Sequence, residues 1–178
     1  MDMIDQDPRY PTGKFAPQEQ YTAAEVLSNI DRIAALPARL EAALQGLSDT
    51  RLDTPYREGG WTLRQVVHHI ADSHMNAYIR VKWTLTEDSP VIKAYDEKAW
   101  AETPEMREPP VVSLHLLKAL HTRWVLLLKA LTPEMLQRKF IHPETKKQAP
   151  LDRIIAMYAW HGEHHLGHIT ALKKKMGW

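Results

Sequence analysis

The stretch from Leu151 to Met176 contains no proline, and four of the chain's ten histidines fall within eight of its positions: His161, His164, His165 and His168. The rest of the stretch has helical spacing. In a helix each residue turns by about 100°, so side chains four apart lie on one face. His161 and His165 make one such pair, and His164 and His168 make another. The face of the first pair continues through Ile154, Tyr158, Ile169 and Leu172, whereas the second runs past Met157, Trp160, Ala171 and Lys175. An apolar stripe packs inward. His161 and His165 are therefore expected to point into the protein, with His164 and His168 at or near its rim. Histidines on an apolar face can be hydrogen-bonded core residues, and two ligands alone make a poor metal site. The metal reading needs a third ligand from elsewhere.

Three further stretches have the period of a helix. Thr22 with Glu25 has the pattern of a capping box. After it Val26, Ile30, Ile33, Leu40, Ala43 and Leu47 keep one face to about Ser48, and Pro37 is expected to kink or interrupt this helix. Thr62 with Gln65 opens a second helix whose apolar side carries Leu63, Val66, Val67, Ile70, Ala77, Tyr78 and Val81. Ser113 is read as the cap of a third, carrying Leu116, Leu117, Leu120, Trp124, Leu127, Leu128 and Leu131. Between them lie a connection over 49–60, an irregular stretch over 87–112 with a short helix near Asp96–Ala101, a cap at Thr132, and a small hairpin over 138–149. Four long amphipathic segments joined by loops predict an all-α fold, an antiparallel four-helix bundle. Residues 1–20, with Pro8, Pro11 and Pro17, read as an extended arm, mobile or laid across a neighbour. Residues 21–178 form a single helical-bundle domain.

Composition narrows the function classes. The chain has 178 residues and no cysteine, which rules out disulfides, thiolate metal sites and a cysteine nucleophile of its own. A net charge of +1 from 23 basic and 22 acidic residues suggests no nucleic-acid partner. Lys173, Lys174 and Lys175 end the last helix, where cations complement its dipole. Asp2, Asp5 and Asp7 do not resemble a secretory signal, and no apolar run is expected to approach the ~20 residues that span a bilayer. No membrane partner and a cytoplasmic location are expected.

Helix two supplies the candidate third ligand. His69 shares a polar stripe with Asp72, Ser73, Asn76 and Arg80. Such a stripe is either a solvated face or the wall of a site, since an unserved polar stripe is costly to bury. His68 and His74 have no comparable stripe and read as ordinary polar or boundary residues. In bundles, metal sites are built by side chains from facing helices.

Several of these segments resemble the YfiT branch of the DinB-like superfamily. They are Trp61 to Ser73, Trp160 to Ile169, Leu52 to Arg57, Ser73 to Arg80 and Tyr95 to Trp100. The resemblance extends over nearly the whole chain after the arm. It implies a four-helix bundle, a homodimer, and one divalent ion per chain, zinc or nickel, on His69, His161 and His165. It also implies metal-dependent hydrolysis, or in some members transfer of the thiol bacillithiol to an electrophile. Three neutral imidazoles leave an ion with its full charge and an open position, suited to activating water or to holding a thiol. Any thiol must arrive as a cosubstrate beside the small-molecule substrate. A non-catalytic metal-binding homodimer is the remaining alternative. Asp72 and His168 are the candidates for a proton carrier, each with a plainer role as a ligand-orienting or rim residue.

Overall fold

The computed structural model describes residues 7–178; the acidic start with Asp2 and Asp5 lies outside them. In chain order the elements are α1 (Ala23–Leu44), α2 (Asp49–Leu52), α3 (Leu63–Thr86), α4 (Glu97–Trp100), a 3-10 turn (Pro104–Arg107), α5 (Val111–Lys129), α6 (Pro133–Leu136), β1 (Lys139–Ile141), β2 (Gln148–Pro150) and α7 (Leu151–Met176). Both capping boxes are present. Thr22 Oγ1 accepts from Glu25 N at 3.2 Å while the Glu25 carboxylate accepts from Thr22 N at 2.8 Å. Thr62 and Gln65 do the same at 3.1 and 3.0 Å. Each box satisfies donors that a helix start otherwise leaves bare.

Two expectations about helix ends need correction. Pro37 does not interrupt α1, which continues through it to Leu44. Ser113 is not a cap: α5 starts two residues earlier behind Pro110, and the Ser113 hydroxyl instead meets His68 Nδ1 at 2.7 Å. The one-turn α2 lies within the stretch 49–60 that reads as a connection. It is tied to α3 by Arg64, whose buried guanidinium pairs with Asp53 at 2.6 Å and Asp49 at 2.8 Å.

The four long helices form a bundle in which α1 packs on α5 and α7, and α3 packs on the same two. Cross-contacts give their directions. Glu41 meets Lys118 while Asp31 meets Lys129, so α1 and α5 are antiparallel. His69 lies near His165 and Arg80 near Tyr158, so α3 and α7 are antiparallel. His68 meets Ser113 and His74 meets His121, so α3 and α5 run the same way, made possible by the long connection over 87–110. Consecutive helices α1 and α3 therefore stand on a diagonal.

The core falls into two apolar clusters. One holds Ile30, Ile33, Val81, Trp124, Leu128, Ile154 and Tyr158. The other holds Leu36, Leu40, Val67, Ile70, Leu117, Leu166 and Ile169. By length and composition α5 is apolar enough to cross a membrane, with a mean hydropathy of 1.3, contrary to the expectation that no run approaches this. In the fold it is a bundle helix burying Leu114, Leu117, His121, Trp124 and Leu128.

The described part of the arm lies along α7. Trp160 Nε1–H donates to Gly13 O at 3.1 Å, and Phe15 packs on the Trp160 ring. A Cβ at Gly167 would sit 3.0 Å from the Pro11 side chain. The tighter approach is at Gly162, where a Cβ would lie 2.5 Å from Leu36 Cδ2 on α1.

Gly162→Val is expected to lower stability by about 1–3 kcal/mol through overpacking. Urea unfolding should show a reduced midpoint, and Leu36→Ala should cost less in that background than in the native chain, because the two sites share one contact.

Candidate metal centre

Between the two apolar clusters lies a layer of polar groups to which each long helix contributes one. It begins with a backbone defect. Pro37 has no N–H, so the carbonyl of Ile33, one turn earlier, lacks its helical donor. His121 of α5 takes that place, with Nδ1 2.7 Å from Ile33 O. A carbonyl only accepts, so Nδ1 of His121 carries the proton and its Nε2 is an acceptor. His74 Nδ1 lies 3.0 Å from that Nε2 and must donate to it. His74 Nε2 in turn accepts from His161 Nδ1 at 3.2 Å. The chain of donations leaves His161 Nε2 unprotonated, an acceptor facing α3.

A shorter relay acts on His165. His168 Nε2 lies 3.4 Å from Arg9 O, and His168 Nδ1 lies 3.3 Å from His165 Nδ1. With the carbonyl as terminal acceptor, His165 Nδ1 donates and its Nε2 lone pair stays free. His69 completes the group. Its Nε2 is 3.3 Å from His161 Nε2, and ligand nitrogens of His69, His161 and His165 lie within 4.8 Å of one another. Two nitrogens bound at ~2.0–2.1 Å to one tetrahedral ion are themselves ~3.3 Å apart. The donor set fits a divalent ion in chemistry, and the 3.3 Å between His69 and His161 has that spacing. The Ser73 hydroxyl is also 3.3 Å from His161 Nε2. The Trp61 ring packs 4.6 Å from that of His69.

The three histidines named from the sequence thus come together, His69 and His165 buried and His161 partly exposed. His164 and His168 are not rim residues; both are buried, because the arm and its neighbours cover them. Tyr10 lies over His164, and Tyr56 stacks on His168 at 4.0 Å. His168 has both ring nitrogens engaged, so it orients His165 and has no nitrogen left for a substrate proton. His164, His165 and His168 form a second close group on one helix. Asp72 is half-buried, and its carboxylate makes no hydrogen bond to His69. Burial, with Glu105 nearby, raises its pKa to about 6.

His68 and His74 are not boundary residues either. His74 is fully buried inside the relay, and His68 joins Ser113 to Glu108 O. Sequence reasoning missed His74 and His121, although His74 and Ser73 lie one turn from His69–Ile70 and Pro37 marks a carbonyl in need of a donor.

Burial also sets the charge state. It lowers the pKa of His69 to about 4, with His164 adding repulsion, and pushes His74, His161 and His165 well below the ordinary range. His121 and His168 fall to about 4 for the same main reason. All six are neutral at pH 7, as ligands and directional relays require.

Comparison with known proteins agrees with this architecture. The family model of the DinB superfamily matches residues 32–169. The chain belongs to the DinB superfamily. It is 48% identical over 170 residues, 95% of this chain and 96% of the relative, to the Bacillus subtilis protein named "Putative metal-dependent hydrolase YfiT". A Bacillus cereus (strain 03BB102) relative with the same activity in its name is 50% identical over 172 residues, covering 97% and 99% of the two chains. The solved structure of YfiT, described as a probable metal-dependent hydrolase with an unusual four-helix bundle topology, superposes with a TM-score of 0.94 at 47% identity. It covers 96% of this chain and 98% of that one.

Two outcomes are expected. In the metal-free protein, long-range ¹H–¹⁵N correlation spectra should show His74, His121 and His161 all as Nδ1–H tautomers; an Nε2–H form at His74 breaks the relay. Second, a histidine whose pKa drops on folding takes up its proton more readily when unfolded, so its stabilisation is complete above pH 6.5 and is lost as pH falls toward 4. Urea unfolding should therefore show stability falling as pH drops from about 6.5 to 5, and His121→Gln should make the fall shallower.

Proposed function

We propose that the protein is a metal-dependent hydrolase holding one divalent ion, zinc ahead of nickel, on His69, His161 and His165. One observation carries the reading: two independent relays, each ending on a backbone carbonyl, keep Nε2 of His161 and His165 unprotonated beside His69 Nε2. The names of the relatives support the same activity. When bound, such an ion supplies Lewis-acid polarisation and acidifies coordinated protic groups.

The chain's own residues do the rest. His74 and His168 hold the two α7 imidazoles in the binding tautomer, and fixed rings lose less freedom on coordination. Ser73, beside His161 Nε2, offers a hydroxyl to a bound substrate. Asp72 lies on the same face of α3, and its raised pKa suits a carboxylate that accepts a proton near neutral pH and returns it to a leaving group. Trp61 packs against the ligand rings and excludes water from that side. The homodimer belongs to this proposal as well: Val112, Leu116 and Leu126 of α5 are exposed apolar residues available to a second copy.

Elemental analysis of purified protein should find about one equivalent of zinc or nickel. Alanine at His69, His161 or His165 should abolish it, and alanine at His164 should not. His168→Ala should keep the ion with affinity weaker by about 10–100-fold, the usual effect of losing an orienting partner. Parallel assays with ester and amide substrates, and with a low-molecular-weight thiol plus an electrophile, separate hydrolysis from thiol transfer. Metal without turnover in either assay would leave a metal-binding protein.

A further inference from the structure

Arg80 presents a problem the metal centre does not solve. It is buried on α3, only 9% exposed. It donates to Tyr158 OH at 3.2 Å and to Lys93 O at 2.8 Å, both neutral acceptors. Its Nε has no partner, and among the described residues no carboxylate lies within ion-pair distance. Glu97 feels its charge only at longer range. A buried guanidinium without a counter-charge is costly and favours an anion.

The surroundings of Arg80 leave room for one. It lines a cavity of about 250 Å³ between the arm, the β1–β2 hairpin and α7. Arg153, on α7, lines the same space. Its Nε is likewise buried and unpartnered, and its Nη2 reaches Gln18 O at 3.3 Å. Lys147 stands at the hairpin side, and among the described residues no acidic one lines the space. The remaining wall is largely apolar, with Phe15, Ile92, Phe140, Ile154 and Met157. A space of about 250 Å³ suits a small occupant.

We propose that this cavity binds a small monocarboxylate, its carboxylate on Arg80 and Arg153 and its apolar body against Phe140, Ile154 and Met157. Guanidinium groups match a carboxylate in both charge and geometry. The walls reject a ligand that is charged throughout, and the two arginines reject an amine. None of His69, His161 and His165 lines the cavity, and the proposal does not depend on the proposed hydrolase.

Calorimetric titration with hexanoate, hexanol and hexylamine tests this, since the three share one six-carbon body. Hexanoate should bind, hexylamine should not, and hexanol should bind about tenfold or more weakly, the scale of a lost charged hydrogen bond. Arg153→Gln and Arg80→Gln should each weaken hexanoate by a similar factor. Ala149→Leu should block the cavity with both guanidinium groups intact, which keeps the test decisive if Arg80→Gln fails to fold. His165→Ala should leave hexanoate binding unchanged. Hexanol binding as tightly as hexanoate, hexanoate binding unaffected by both Arg153→Gln and Ala149→Leu, or its loss in His165→Ala would each overturn the proposal. The last would place the carboxylate on an ion at the histidines instead.

Discussion

The carbonyl that Pro37 leaves without a donor shapes the centre of this bundle. A proline inside a helix normally costs stability through the bond it removes. Here the bare oxygen becomes the fixed end of a hydrogen-bonded row that crosses from α1 through His121 and His74 to His161. Each imidazole has one donor and one acceptor, so fixing the first proton fixes all the others. The row separates the two apolar clusters and joins all four long helices at one level. Placing neutral imidazoles there is tolerable because nearly every nitrogen in the row is paired.

Much of the fold is legible in the sequence because the signals are local. Thr22 with Glu25 and Thr62 with Gln65 mark helix starts by chemistry confined to four residues, and the stripe through Ile154, Tyr158, Ile169 and Leu172 does pack inward. The errors arise where distant segments meet. Ser113 has the composition of a cap but is used as a partner for His68. His164 and His168 lie on the less apolar face of α7, yet the arm covers them, which no periodicity within α7 could reveal. Pro37 reads as a kink or interruption because propensity counts the bond it removes and not the histidine that replaces the donor.

The stripe sets His161 and His165 on a different face from His164 and His168 but misjudges the second pair, which is buried as well, and His69 enters by its polar stripe together with the family resemblance. His74 and His121 were not separable. A buried histidine that orients a ligand has the same neighbours in sequence as one that only fills space, and its role appears when donors and acceptors are traced across helices. Arg80 is similar: its place in a polar stripe is visible beforehand, but the lack of a counter-charge is a property of the assembled structure.

The diagonal placement of consecutive helices affects the order in which the molecule is made. His69 and His161 are 92 residues apart in the chain, and the row that orients His161 needs α1 and α5 as well. Local helix formation alone brings none of these donors together. The pocket can therefore close only late in folding, after loop-closure entropy for long separations has been overcome. A cation that favours the closed arrangement acts on the finished molecule and not on its earlier intermediates, so supply of the ion would govern how long the native state persists more than how quickly it is reached.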